Sequence, residues 1–184
     1  MKILVIGGNG TIGKPVSDHF AKKHQVLVGG RNSGGVRVDI ADSQSIQAMF
    51  DKAGPLDAVV CIAGEAKWAA LDAMTEADYY IGLKSKLMGQ VNLVRIGRRY
   101  VSSGGSFTLS TGILADHPVL GTTSAAMVNG GIHSFVKAAS LELEQGIRIN
   151  AVASGLVADA VETYGAYFPG HNPIPMQKVI NGYV

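Results

Sequence analysis

Strand-length apolar runs alternate with helix-length patterns along the whole chain, and this alternation limits the possible folds more than any other feature. KILVIG (2–7), QVLVGG (25–30), VRVDI (36–40), LDAVVCIAG (56–64), GSFTLST (105–111) and IRINAVASG (147–155) read as strands. Most are continuously apolar, as expected of a parallel sheet covered on both faces. Between them lie helical patterns. Residues 11–23 place Ile12, Val16, Phe20 and the stem of Lys23 on one face. Residues 42–54 open on the cap candidates Asp42 and Ser43 and close at Gly54. Residues 75–101 open on Thr75 with acidic residues behind it, and residues 122–145 form another long helix. The order predicts one α/β domain over 1–184: a Rossmann-like, doubly wound parallel sheet in three α/β/α layers, with six strands and a possible seventh. Ligands of such sheets bind beyond the carboxyl ends of the strands, so the chemistry is expected just after each strand.

The first of these exits is GGNGTIG (7–13), between the first strand and the first helix. Its glycines fit Gly7-x-x-Gly10-x-x-Gly13. Each has a physical purpose in a dinucleotide site. Gly7 turns the chain, Gly10 lets backbone approach a diphosphate, and Gly13 lets the helix pack closely on the sheet. The first-turn amides then face the anion. The second exit, GGRN (29–32), lacks the acid that usually holds the ribose 2′-hydroxyl of NAD. It offers Arg31 instead, whose planar fork suits a 2′-phosphate, so NADP(H) is favoured over NAD(H).

The combination resembles the short-chain dehydrogenase/reductase family from Lys2 to Gly155. GGNGTIG resembles the glycine motif of its extended and atypical branches. VRVDI places Asp39 where the family has an Asp near the adenine, and VVCIAG (59–64) is similar to its Asn-Asn-Ala-Gly segment with Cys61 and Ile62 at the Asn positions. GIRINAVASG (146–155) is similar to Gly-Ile-Arg-Val-Asn-x-Val-x-Pro-Gly, with Ser154 in the Pro position. The resemblance implies cofactor contacts along Gly7, Asn9, Gly10, Thr11, Ile12 and Gly13, then Arg31 and Asn32, Asp39 and Ile40, Ala63 and Gly64, and finally Ser154, Gly155 and Val157.

The family's hydride transfer rests on a Tyr acid/base, a Lys four residues later, a Ser after the fifth strand and an Asn on the preceding helix. A phenol near pKa 10 needs a nearby cation to work at neutral pH. In this chain Lys86 falls on the Asn, Thr111 on the Ser with Ser110 beside it, Ala125 on the Tyr and Asn129 on the Lys. The chain therefore resembles a divergent subgroup lacking the usual tetrad. One reading is an NADP(H)-dependent oxidoreductase acting on an unidentified carbonyl or alcohol. Lys86 would then be the acid, Thr111 and Ser110 would bind the carbonyl oxygen, and Asn129 would hold the ribose. His117 is a further proton-donor candidate, though an exposed loop histidine is the simpler account. The alternative is a catalytically silent NADP(H)-binding sensor or scaffold.

Composition narrows the rest. A net charge of +2 with no basic run leaves no footprint for nucleic acid. No run has membrane-spanning length, and MKILVIGGNG lacks a signal peptide's apolar core, so the cytoplasm is the expected location. Cys61 is expected to be a buried inert thiol, and no cluster has metal-ligand spacing. His19, His24 and His133 read as isolated, and Trp68 as either lining a substrate pocket or, the safer reading, packing on the core. The segment after 157 contains Tyr164, Tyr167 and Phe168, matching the family's substrate lid. An open edge at the sixth strand would need either a further tail or a partner chain to cover it. A homodimer or homotetramer through helices 75–101 and 122–145 is expected, with Ala125, Ala126, Gly130 and Gly131 as the close-approach surface.

Overall fold

The computed structural model describes residues 1–184. Its centre is β1 (Lys2–Ile6), buried from Ile3 onward. β1 pairs in parallel with β2 (Gln25–Gly30) on one side and β4 (Leu56–Cys61) on the other. β3 (Val36–Arg37), β5 (Val101–Gly112) and β6 (Arg148–Ser154) complete a six-stranded parallel sheet in the order β3-β2-β1-β4-β5-β6. The strand order reverses between β1 and β4, so the crevice for a ligand opens at their carboxyl ends. No seventh strand joins the sheet, and β6 is its edge.

The sheet buries both faces against helices. Beneath one face lie α2 (Ser43–Ala53), α4 (Gly89–Gly97) and α5 (Thr123–Ala139), around Phe50, Leu56, Leu93, Phe107 and Ile132. Against the other lie α1 (Gly13–Ala21) and, after the short α6 (Val161–Tyr164), α7 (Met176–Asn181), around Val5, Val16, Val60 and Ile180. Each such side chain, fully buried, contributes about 1.5–3 kcal/mol. Asp42 caps α2 by accepting from the Gln44 amide, and Gly54 ends it at φ 68°.

Several boundaries differ from the sequence reading. The 36–40 run keeps Val38 and Ile40 buried but pairs only over Val36–Arg37. Lys23 is exposed, so its stem adds nothing to the α1 face. Residues 140–145 leave α5 and turn, with Gln145 at φ 59°. The 75–101 helix is three pieces: α3 (Glu76–Gly82), a π-helical stretch (Leu83–Met88) and α4. Thr75 and Asp78 form a reciprocal capping box at its start. Gly82 packs against Ser124 and Val128, whereas Gly97 packs against the rings of Phe50 and Phe107.

Candidate active site

The loop leaving β1 is shaped by contacts of its own backbone. Gly7 sits at φ 80°, and a Cβ there would lie 2.4 Å from the Ile62 carbonyl oxygen. A Cβ on Gly13 would lie 1.9 Å from the Gly7 carbonyl oxygen, so helix and loop touch backbone to backbone. Gly8 is equally constrained, with Ser17 Oγ 2.7 Å from where its Cβ would be, and the sequence reading passed over it. Gly10 differs: its nearest neighbour would be 3.4 Å away, leaving its outer side open. The amides of Thr11, Ile12 and Gly13 donate to no acceptor within the protein. A bare backbone with free donors at a helix N-terminus fits a diphosphate.

Arg31 and Asn32 lie exposed beyond β2. The Arg31 guanidinium meets Glu65, from the exit of β4, at 3.2 Å. Asn9 Nδ2 donates to Ser33 Oγ at 2.9 Å, which ties the glycine loop to the β2 exit. Asp39 accepts from the Ala41 amide at 3.0 Å, and Ser45 accepts from the Asp39 amide, so this turn is fixed by its own side chains. Ile40 is 5% exposed and packs under Gly89 with both its carbonyl and its side chain.

Beyond the ends of β4, β5 and β6 lies a cavity of about 370 Å³. Ile12 and Gly64 border it on the side of the glycine loop, and Ser154, Gly155 and Val157 line it from the exit of β6. Ala63 lies between Cys61 and this rim, half-buried against the core. Lys86 enters from the π-helical stretch, a distortion often found at functional sites. Its stem packs where a Gly64 Cβ would stand, 2.9 Å from Lys86 Cβ, and Gly64 adopts φ 119° to admit it. The Lys86 ammonium has neither an ion-pair nor a hydrogen-bond partner. Burial therefore pushes its pKa below the usual lysine value. Burial pushes the neighbouring Cys61 thiol up to about 11, which keeps it uncharged and inert.

Thr111 and Asn129 line the same cavity at 5% and 3% exposure, with Ala125 beside them. The Asn129 Oδ1 has no partner in the protein. Three expectations are corrected here. Ser110 does not reach the cavity: successive strand residues face opposite sides, and its hydroxyl pairs with Tyr183 Oη at 2.7 Å on the α7 face. His133 is not isolated, because its Nε2 lies 2.8 Å from Thr111 Oγ1. Trp68 is more than core packing: it packs against the small apolar cluster of Leu114, Ala125, Leu156 and Phe168 and also lines the cavity, with Tyr164, Tyr167 and Phe168 at centroid distances of 5.4, 5.2 and 6.1 Å. The contact with Thr111 was hidden because α5 and β5 meet only in the fold. His117 is exposed, and only its backbone is bonded, to the Ile113 carbonyl. Of the four residues expected as the close-approach surface, Ala125 and Gly131 face inward, Gly131 onto Leu87, and Ala126 and Gly130 are left toward the outside.

No cluster of His, Cys, Asp or Glu could hold a metal, and no helix is long and apolar enough to cross a membrane. Residues 15–170 match a family model described as enoyl-(acyl carrier protein) reductase. The chain is 26% identical over 169 residues to the 3-oxoacyl-[acyl-carrier-protein] reductase MabA of Mycobacterium avium; the match covers 84% of this chain and 66% of that one. The protein lin1944 from Listeria innocua superposes at a TM-score of 0.98 with 39% identity, over all of this chain and 92% of that one. A small-chain dehydrogenase in complex with NADPH superposes at 0.87 with 25% identity, over all of this chain and 89% of that one. With its glycine cradle, its strand order and its match over most of its length, the chain belongs to the short-chain dehydrogenase/reductase family.

Proposed function

We propose that the protein is an NADP(H)-dependent oxidoreductase acting on a carbonyl or alcohol, with its acid/base groups moved from the family's usual positions. The observation that carries this reading is the unpaired Lys86 ammonium, which shares one cavity with Thr111 and Asn129. NADPH, when bound, supplies the hydride. The residues of the chain do the rest. The Thr11, Ile12 and Gly13 amides hold the diphosphate, and Arg31 takes the 2′-phosphate in place of Glu65. Asn129 accepts a ribose hydroxyl through its free Oδ1. Thr111 hydrogen-bonds the substrate oxygen, and Lys86 stabilises the negative charge that develops there. Such stabilisation is strongest in a cavity that excludes water. The relative crystallised with NADPH supports the choice of cofactor.

Calorimetry with NADPH and NADH tests the cofactor, and reduction of a ketone and 3-oxoacyl thioester panel tests the reaction. Lys86→Ala should lower kcat by about 10²-fold, the usual scale for losing such a group. An unchanged rate removes Lys86 from the mechanism. A second reading is favoured by one observation: Ala125, which the sequence count sets at the family's phenol position, is 4% exposed and lines the cavity with a bare methyl. Tight NADPH binding with no turnover across the panel would make the protein a silent sensor or scaffold.

A further inference from the structure

Thr111, His133 and Asp116 form a line from the cavity to solvent. Thr111 Oγ1 lies 2.8 Å from His133 Nε2. On the far side of the ring, His133 Nδ1 lies 3.9 Å from Asp116 Oδ2, an ion-pair separation once the imidazole is charged. Exposure rises along the line: Thr111 is buried at 5%, the His133 side chain is 21% exposed and that of Asp116 is 68% exposed. Three elements bring them together. Thr111 ends β5, His133 lies on α5, and Asp116 follows the short 3₁₀ turn Ile113–Ala115, where its amide donates to the Ile113 carbonyl. The only other partner of the Thr111 hydroxyl is the Val152 carbonyl oxygen at 3.4 Å, a weak contact.

We propose that this chain of groups is the proton route that replaces the missing phenol. The proposal rests on the oxidoreductase reading above. In reduction, a hydride from the reduced nicotinamide nucleotide forms the new C–H bond at the carbonyl carbon, and the electron pair of the C=O π bond moves to oxygen. That oxygen takes the Oγ1 proton of Thr111. Thr111 takes the Nε2 proton of His133 while His133 Nδ1 takes a proton from solvent beside the Asp116 carboxylate, so no imidazolate forms. The substrate gains one hydride and one proton, and the cofactor is oxidised by two electrons. In alcohol oxidation every transfer runs backwards. An imidazole can do this because one ring nitrogen receives a proton while the other releases one. His133 is a positioning residue in this scheme, since it reaches the reaction only through the Thr111 hydroxyl, and Asp116 holds the charge that the ring acquires.

Two measurements test the route. In protein carrying ¹⁵N-histidine, Thr111→Val should shift the Nε2 resonance of His133 and leave those of His19, His24 and His171 in place. Asp116→Asn should shift its Nδ1. An unmoved Nε2 resonance overturns the proposal whether or not the protein turns over. In kinetics with acetoacetyl-CoA and NADPH, His133→Gln keeps a polar partner for Thr111 but carries no proton. It should lower kcat about 10²-fold with KM for NADPH unchanged; wild-type kcat overturns the proposal. A native protein that binds NADPH but does not reduce acetoacetyl-CoA, or any of the panel, rejects the oxidoreductase reading instead. The proton route falls with it, and the ¹⁵N shifts then show only whether the hydrogen-bonded line exists.

Discussion

Two single-methyl substitutions in the glycine loop should separate folding from binding. In Gly13→Ala the new Cβ falls 1.9 Å from the Gly7 carbonyl oxygen, 2.7 Å from the Gly7 carbonyl carbon and 2.9 Å from Gly8 Cα. All three are backbone atoms, so no flexible side chain can yield. The loop or the helix must move by about 1 Å, and overpacking of that kind costs about 1–3 kcal/mol or more. Alanine's helix preference, up to about 1 kcal/mol over glycine, offsets part of this. A net loss of about 2 kcal/mol lowers Tm by about 4–8 °C for a chain of this size. In Gly10→Ala the nearest atom lies 3.4 Å away, an ordinary contact, and the backbone there is not left-handed. Stability should then change by less than about 0.5 kcal/mol. The added methyl would nevertheless stand on the open side of the loop, so NADPH affinity should fall about tenfold or more, equivalent to about 1.4 kcal/mol. Thermal melts followed by circular dichroism and titration calorimetry with NADPH read both effects. If Gly10→Ala binds NADPH like the native protein, the loop is not the diphosphate cradle. If Gly13→Ala melts at the native temperature, the backbone contact does not shape the fold.

Three further outcomes are expected. The folded-state pKa of Lys86 is lowered, so the unfolded chain holds the extra proton between that value and the ordinary lysine value; stability should rise with pH across this window, and Lys86→Met should remove the rise in urea melts. A slope that survives the substitution would reject the assignment. Glu65→Gln frees Arg31 from its exposed pair; NADPH affinity should rise by up to about fivefold, the scale of a surface ion pair, with NADH affinity unchanged in the same titration. Tyr183→Phe strands the buried Ser110 hydroxyl at a position where the native pair is 2.7 Å apart, and should cost about 1–3 kcal/mol in chemical denaturation.

The sheet was legible because each strand is an apolar run closed by turn residues, a pattern that survives without tertiary information. The cradle was legible from its spacing, and Gly13 does meet Gly7 and Gly8 close in sequence, whereas the contact of Gly7 with Ile62 comes only from the fold. The catalytic side was legible only in part. Lys86, Thr111 and Asn129 could be placed by counting from motif to motif, and they do share a cavity. Ser110 could not be excluded without knowing which face of β5 met α7, and Tyr183 settles that from far along the chain. His133 carried no local signal, because its partners lie on β5 and on the turn that follows it. The π-helical stretch was equally hidden: LKSKLM fits an α-helix by propensity, and only the packing demands at its two ends distinguish the two.

That stretch lets one rod of chain satisfy two neighbours that are out of phase. The segment before it is keyed to α5 through Gly82, the segment after it to the sheet and α2 through Gly97, and the wide turn sets the angle between the two contacts. The wide turn works like a vernier, taking up the angular mismatch within a single coil and aiming the amine of Lys86 into the cavity as it does so. Deleting one residue between 83 and 88 would tighten the coil, turn that amine away and rotate everything after it. Relatives with a uniform helix at this position would therefore have to find their cation elsewhere.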